Sequence, residues 1–215
     1  MKQILCFGDS NTFGYIPGTG KRYEWGTRWT SILNEKLGLN NYRIVEEGLV
    51  GRTTIFDDPI RFGRKGTALL PTLLESHQGM DLVIVMLGTN DCKVVNGLSS
   101  KLIAKGVATL IQQIKEGSPE SKILIVSPIH LGNNVERYDF EFSSESVKVS
   151  KELASEYEQL TIKENVYFFD AATVAEPSET DQEHMNEEGH NALGNALYKK
   201  VMEIEGGSVT RLHVV

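Results

Sequence analysis

The chain of 215 residues is 40% hydrophobic and 24% charged, with 20 Gly and 6 Pro, which fits one domain over 1–215 with a short C-terminal tail at 206–215 and excludes disordered, collagen-like and coiled-coil classes. Its 22 basic and 29 acidic residues leave a net charge of −7, which repels a phosphate backbone, so no nucleic acid and no membrane surface is expected as a partner. No apolar run approaches the about 18 residues of a membrane span, and residues 1–7 are too few for a signal-peptide core, so a cytoplasmic location is expected.

Short apolar runs alternate with segments of helical period. Residues 4–7 predict a first strand, leaving through Gly8-Asp9-Ser10-Asn11-Thr12. Trp29, Ile32, Leu33 and Leu37 share one helical stripe. A second strand over 42–45 leaves through Glu46-Glu47-Gly48-Leu49-Val50-Gly51, and residues 53–67 resist assignment. The continuously apolar run 82–87 predicts a strand covered on both faces, leaving through Gly88-Thr89-Asn90-Asp91. A helix with Ile103, Val107, Leu110, Ile111 and Ile114 on one face precedes a buried strand over 123–126, which leaves through Ser127-Pro128-Ile129-His130. Residues 131–144 again resist assignment, and long irregular segments of this kind serve as binding loops or as solvated surface. Leu153, Ala154, Tyr157 and Leu160 mark a further helix, 166–169 a fifth strand, and Leu193, Leu197, Val201 and Ile204 a last helix stopped by Gly206-Gly207. The order strand, helix, strand favours an open parallel sheet with helices on both faces, and ligands in such sheets bind beyond the carboxyl ends of the strands. Cys6 and Cys92, far apart and without Cys-x-x-Cys spacing, read as buried thiols rather than a disulfide or zinc site.

Three strand exits and one late segment carry candidate chemistry. Ser10 ends a buried strand where a tight turn holds a hydroxyl out of the sheet, the geometry of a nucleophile; a serine capping a helix satisfies the same pattern. Thr12 stands where a G-x-S-x-G elbow has its second glycine. Asp181 and His184, three apart, can pair through one ring nitrogen and leave the other free to take a serine proton, although an Asp that caps a helix beside a surface His has the same spacing. Asn90 offers a side-chain amide of the kind that stabilises an oxyanion, or an ordinary Asn-Asp turn. Asp181, Glu183, His184, Glu187 and His190 fall within ten positions, but they match no metal-ligand template, and no metal is expected. Gly18-Thr19-Gly20-Lys21 fails as a phosphate loop because Tyr15 and Arg22 stand where Gly and Ser or Thr are required.

In order and spacing, Gly8-Asp9-Ser10, a glycine after the second strand, Gly88-Thr89-Asn90-Asp91 and Asp181-x-x-His184 resemble the four blocks of the SGNH hydrolases, or GDSL-type esterases, across essentially the whole chain. Phe13-Gly14-Tyr15, Arg28-Trp29, Glu46-Glu47-Gly48-Leu49, Arg52-Thr53-Thr54 and Met86-Leu87 look like the arylesterase and acyltransferase branch. The resemblance implies a flavodoxin-like α/β fold, three-layer α/β/α around a five-stranded parallel sheet. It implies Ser10 as nucleophile, His184 as base and Asp181 as its partner, with the N–H groups of Ser10 and Gly51 and the side chain of Asn90 as oxyanion hole. The family commonly has Asn before the second-block glycine, where this chain has Glu46-Glu47. Either Gly48 or Gly51 could then donate, and the common spacing favours Gly51. Gln182-Glu183 stand where the fourth block often has glycine.

Asn11, Tyr15, Asp91 and His130 are the expected substrate contacts. The function so implied is a serine esterase of short acyl esters that works through an acyl-enzyme without a cofactor, with possible transfer to alcohols. The alternatives are a carbohydrate acetyl esterase and, outside enzymes, a flavodoxin-like binding module. The alternating tail 208–215 and the homo-oligomers of this branch imply a homo-oligomer in which the 131–144 loop lines a restricted entrance.

Overall fold

The computed structural model describes residues 1–206. Five strands, β1 (Lys2–Gly8), β2 (Tyr42–Gly48), β3 (Leu82–Met86), β4 (Lys122–Ser127) and β5 (Tyr167–Asp170), form one sheet in the order β2-β1-β3-β4-β5. Every pairing is parallel. Six α-helices accompany it among the described residues: α1 (Ser10–Phe13), α2 (Trp29–Leu37), α3 (Gly66–Ser76), α4 (Ser100–Gly117), α5 (Ser144–Glu164) and α6 (Glu187–Glu205). The three-layer α/β/α arrangement is the expected one.

Alternation along the strands divides the core in two, because successive side chains point to opposite faces. Leu5, Phe7, Val83, Val85, Ile123 and Ile125 pack with Leu70 and Leu74 of α3, Val107 and Ile111 of α4, and Leu153 and Tyr157 of α5. Ile4, Cys6, Ile84, Met86, Leu124 and Val126 pack with Trp29 and Leu33 of α2 and with Leu193, Leu197 and Val201 of α6. Cys6 and Cys92 are both buried and free. Helix starts are fixed locally: the Ser99 side chain accepts from the N–H of Leu102, Ser143 and Ser146 form a reciprocal capping box, and Asn186 accepts from the N–H of Gly189.

Two differences from the sequence expectation stand out. Helix α3 was not foreseen; it begins at Gly66, contains Pro71, and buries Leu70 and Leu74, so tertiary packing overrides a weak local signal. Loop 131–144 holds a short 3-10 turn, Val135–Arg137, and ends where Ser144 opens α5. The β-patterned tail 208–215 lies outside the described residues. Among the described residues, no helix is long and apolar enough to cross a membrane.

The strand order reverses direction between β1 and β3, so their exits diverge and leave a crevice at the carboxyl edge of the sheet. Ser10 follows β1, and Asn90 follows β3.

Candidate active site

Strand β1 ends at Gly8, and the chain turns at once into the single-turn helix α1. Asp9 caps it, its Oδ1 accepting from the N–H of Asn11 at 3.0 Å, and Ser10 is the first helical residue. Far along the chain, the segment before α6 winds around one carboxylate. Asp181 Oδ1 accepts from the N–H groups of Glu183 at 3.1 Å and His184 at 3.0 Å, while Oδ2 accepts from the N–H of Gly18 at 3.1 Å. The same Oδ2 stands 2.9 Å from His184 Nδ1. A carboxylate there accepts, so Nδ1 carries the proton and Nε2 presents a lone pair. That Nε2 lies 2.9 Å from Ser10 Oγ. The ring of Tyr15 stacks on that of His184, centroids 4.3 Å apart.

Electrostatics favour a proton on the histidine ring. Burial opposes a charged imidazole, but the charges of Glu183, Asp181 and Asp9 and the Asp181 hydrogen bond outweigh it, so the His184 pKa is raised. For Asp181, burial pushes upward and the bonds from His184 and the backbone overcome it, leaving the carboxyl below its ordinary value. Asp9, the buried residue before the serine, is pushed up to about 7 by burial.

On the other side of the crevice, the Asn90 carboxamide donates to the carbonyl of Arg52 at 3.2 Å. Arg52 is itself buried: its guanidinium donates to the carbonyls of Gly8, at 2.9 Å, and Glu47, and lies over the Phe7 ring. Thus one side chain ties the exits of β1 and β2 to the segment that aims Asn90. Gly51 has φ +82° and its N–H finds no acceptor among the described residues. Gly48 serves packing instead, because a Cβ there would stand 2.2 Å from the backbone nitrogen of Phe13. Of the two glycines left open by the sequence, Gly51 is the one that lines the crevice.

Ser10, Tyr15, Gly51, Asn90 and His184 line one cavity of about 120 Å³. Val50, Arg61, Lys93, Asp139 and Glu183 complete its wall. Wider surface hollows elsewhere, such as that beside Gly26, Glu35 and Glu187, hold none of these groups.

Of the expected substrate contacts, only Tyr15 faces this cavity. Asn11 is buried with both ends of its amide engaged, donating to the Glu183 carbonyl at 3.3 Å and accepting from the N–H of Met185 at 2.9 Å. Asp91 is buried against Thr54, accepting from its N–H at 2.9 Å and its hydroxyl at 2.5 Å. His130 lines a separate hollow with Lys151 and Pro177. All three follow strand exits, and position on an exit does not fix where a side chain points. Conversely, Arg61 and Asp139 bring both unassigned loops to the cavity, and Glu183, which stands beside the base in sequence, puts its charge on the wall. Lys93 had no sequence signal except its nearness to Asn90.

The fold and this constellation are those of a hydrolase built on an α/β/α sheet. The model of the GDSL-like lipase/acylhydrolase family matches residues 6–192, and the chain belongs to that family, the SGNH hydrolases. A carbohydrate acetylesterase from Sinorhizobium meliloti is similar in structure, with 36% identity, TM-score 0.89 and coverage of 95% of this chain and 100% of that one. The native aryl esterase of M. smegmatis is similar at 35% identity and TM-score 0.89, covering 94% and 99%. No curated protein matches the chain. Family and neighbours make the protein a hydrolase of the esterase type.

Proposed function

We propose that the protein is a serine esterase of short-chain acyl esters that works through an acyl-enzyme. His184 Nε2 takes the Ser10 proton as Oγ bonds to the ester carbonyl carbon, and the carbonyl oxygen becomes an oxyanion. The N–H groups of Ser10 and Gly51 and the Asn90 carboxamide donate to it. As the tetrahedral centre collapses, the bond to the alcohol breaks and His184 returns its proton to the departing oxygen. Water then attacks the acyl-serine with His184 again as base, freeing the acid and restoring the serine; an alcohol in place of water gives acyl transfer. Asp181 holds the ring in the required tautomer throughout.

The hydrogen-bond chain from Asp181 through His184 to Ser10, bordering one cavity with Gly51 and Asn90, carries this reading. The cavity of about 120 Å³ supports small acyl groups. A fluorophosphonate probe is expected to label Ser10, and acetyl esters to outrun octanoyl esters. Absence of labelling would overturn the mechanism. We read the assembly as a homo-oligomer, supported by exposed Phe62 and Phe140 on the two loops that reach the cavity; a monomeric mass in light scattering would overturn that.

A further inference from the structure

The charged groups on the cavity wall differ in whether they are already paired. Arg61 holds Asp58 at 3.0 Å and Glu141 at 2.5 Å, and Lys93 holds Glu141 at 2.9 Å. Among the described residues, Glu183 is paired with no lysine or arginine; its near neighbour is the His184 ring. It is 8% exposed, and its carboxylate accepts no hydrogen bond among the described residues. Its backbone is fixed at both ends, the N–H donating to Asp181 and the carbonyl accepting from Asn11. The side chain lines the cavity, with Oε1 3.8 Å from His184 Nε2. Burial, with the charges of Asp139 and Asp181, pushes its carboxyl above the ordinary value. Its carboxylate is open to the cavity, and a ligand that offers a donor there gains a charge-assisted hydrogen bond in a largely enclosed site.

The departing oxygen of an ester must come within about 3 Å of His184 Nε2 to receive its proton. Glu183 Oε1 stands 3.8 Å from that same nitrogen and on the wall of the same cavity, within reach of an alcohol portion that extends along that wall. We propose that Glu183 determines specificity on the alcohol side by accepting a hydrogen bond from a hydroxyl on the carbon adjacent to the esterified one. The favoured substrates are short acyl esters of vicinal diols and polyols. Esters of plain alcohols offer the carboxylate no donor, and anionic alcohols are repelled. This rests on the esterase reading above.

The test compares 2-hydroxyethyl acetate with propyl acetate, two esters of nearly equal size that differ in one hydroxyl. The readout is the ratio of their kcat/KM values within each protein, which cancels any general loss of activity. The wild type is expected to favour the hydroxy ester by about tenfold or more, the scale of one charge-assisted hydrogen bond. Glu183→Met, matched in length but with no strong acceptor, is expected to bring the ratio near one, and Glu183→Gln to leave it between. A wild-type ratio near one overturns the proposal, even if neither variant folds. So does a wild-type ratio retained in Glu183→Met. A wild type that turns over the two esters equally well leaves the esterase reading standing, whereas one that turns over neither removes that reading and the proposal with it.

Discussion

The Asn11 carboxamide clasps Met185: its oxygen accepts the N–H of Met185 at 2.9 Å, and its nitrogen donates to the carbonyl of Glu183 on the other side of His184. The residue after Ser10 thus brackets the residue that Ser10 must meet, across a gap of 174 positions. Asn11→Ala is expected to lower kcat about tenfold or more and to cost about 1–3 kcal/mol of stability, the penalty for orphaning buried polar groups. Steady-state kinetics with denaturant unfolding check both. An unchanged kcat would remove the alignment role.

Ser10→Ala is expected to lower ester turnover by about 10⁴-fold or more while leaving the fold intact. Near-native circular dichroism, with turnover within tenfold of the wild type, would rule out Ser10 as nucleophile.

Asn90→Ala is expected to lower kcat by about 10²–10³ with little change in KM, since an oxyanion donor acts chiefly in the transition state. An effect confined to KM would instead make Asn90 a ground-state contact.

In the proposed mechanism the base is the neutral form of His184; burial opposes its charged form, but the charges of Glu183, Asp181 and Asp9 raise its pKa above 6.5. Activity is therefore present at high pH and lost as pH falls through the raised value, so the acid limb of kcat/KM is expected to have its midpoint above 6.5. A rate flat from about pH 5 to 8 would exclude a histidine base.

Gly48→Ala places a Cβ 2.2 Å from the Phe13 nitrogen and 2.5 Å from the Thr12 carbonyl carbon. Backbone must move, and the part that moves carries Ser10. A loss of about 1–3 kcal/mol is expected, with reduced kcat, measurable by chemical denaturation and ester kinetics. Native values for both would mean that α1 yields freely.

The five strands were legible because each is a short apolar run between turn residues, and the apolar stripes of α2, α4, α5 and α6 are long enough to show a helical period. Helix α3 was not: with glycine at its start and Pro71 inside, it is held by Leu70 and Leu74 packing onto the sheet. The same limit applies to the site. Ser10, Asn90, Asp181 and His184 each also fit a cap or a turn and became legible only together, as blocks in the order of the resembled family, whereas the inward turn of Tyr15 and the burial of Asn11 and Asp91 depend on contacts between segments far apart in sequence. Arg61 and Asp139 sit in loops with no periodicity from which to read a direction.

Asp58 and Arg61 come from one loop, Glu141 from the other, and Lys93 lies between them with its side chain 3% exposed. The two loops are in effect a single fitted piece. Grafting a foreign loop in place of 131–144 alone would remove Glu141 and leave the Lys93 ammonium with Asp58 at 3.6 Å, beyond hydrogen-bond reach, and losing one hydrogen bond to a buried charge costs about 1.5–3 kcal/mol. Reshaping the mouth of this enzyme by loop exchange therefore calls for both loops to be transplanted together, or for Lys93 to be made neutral in the same step.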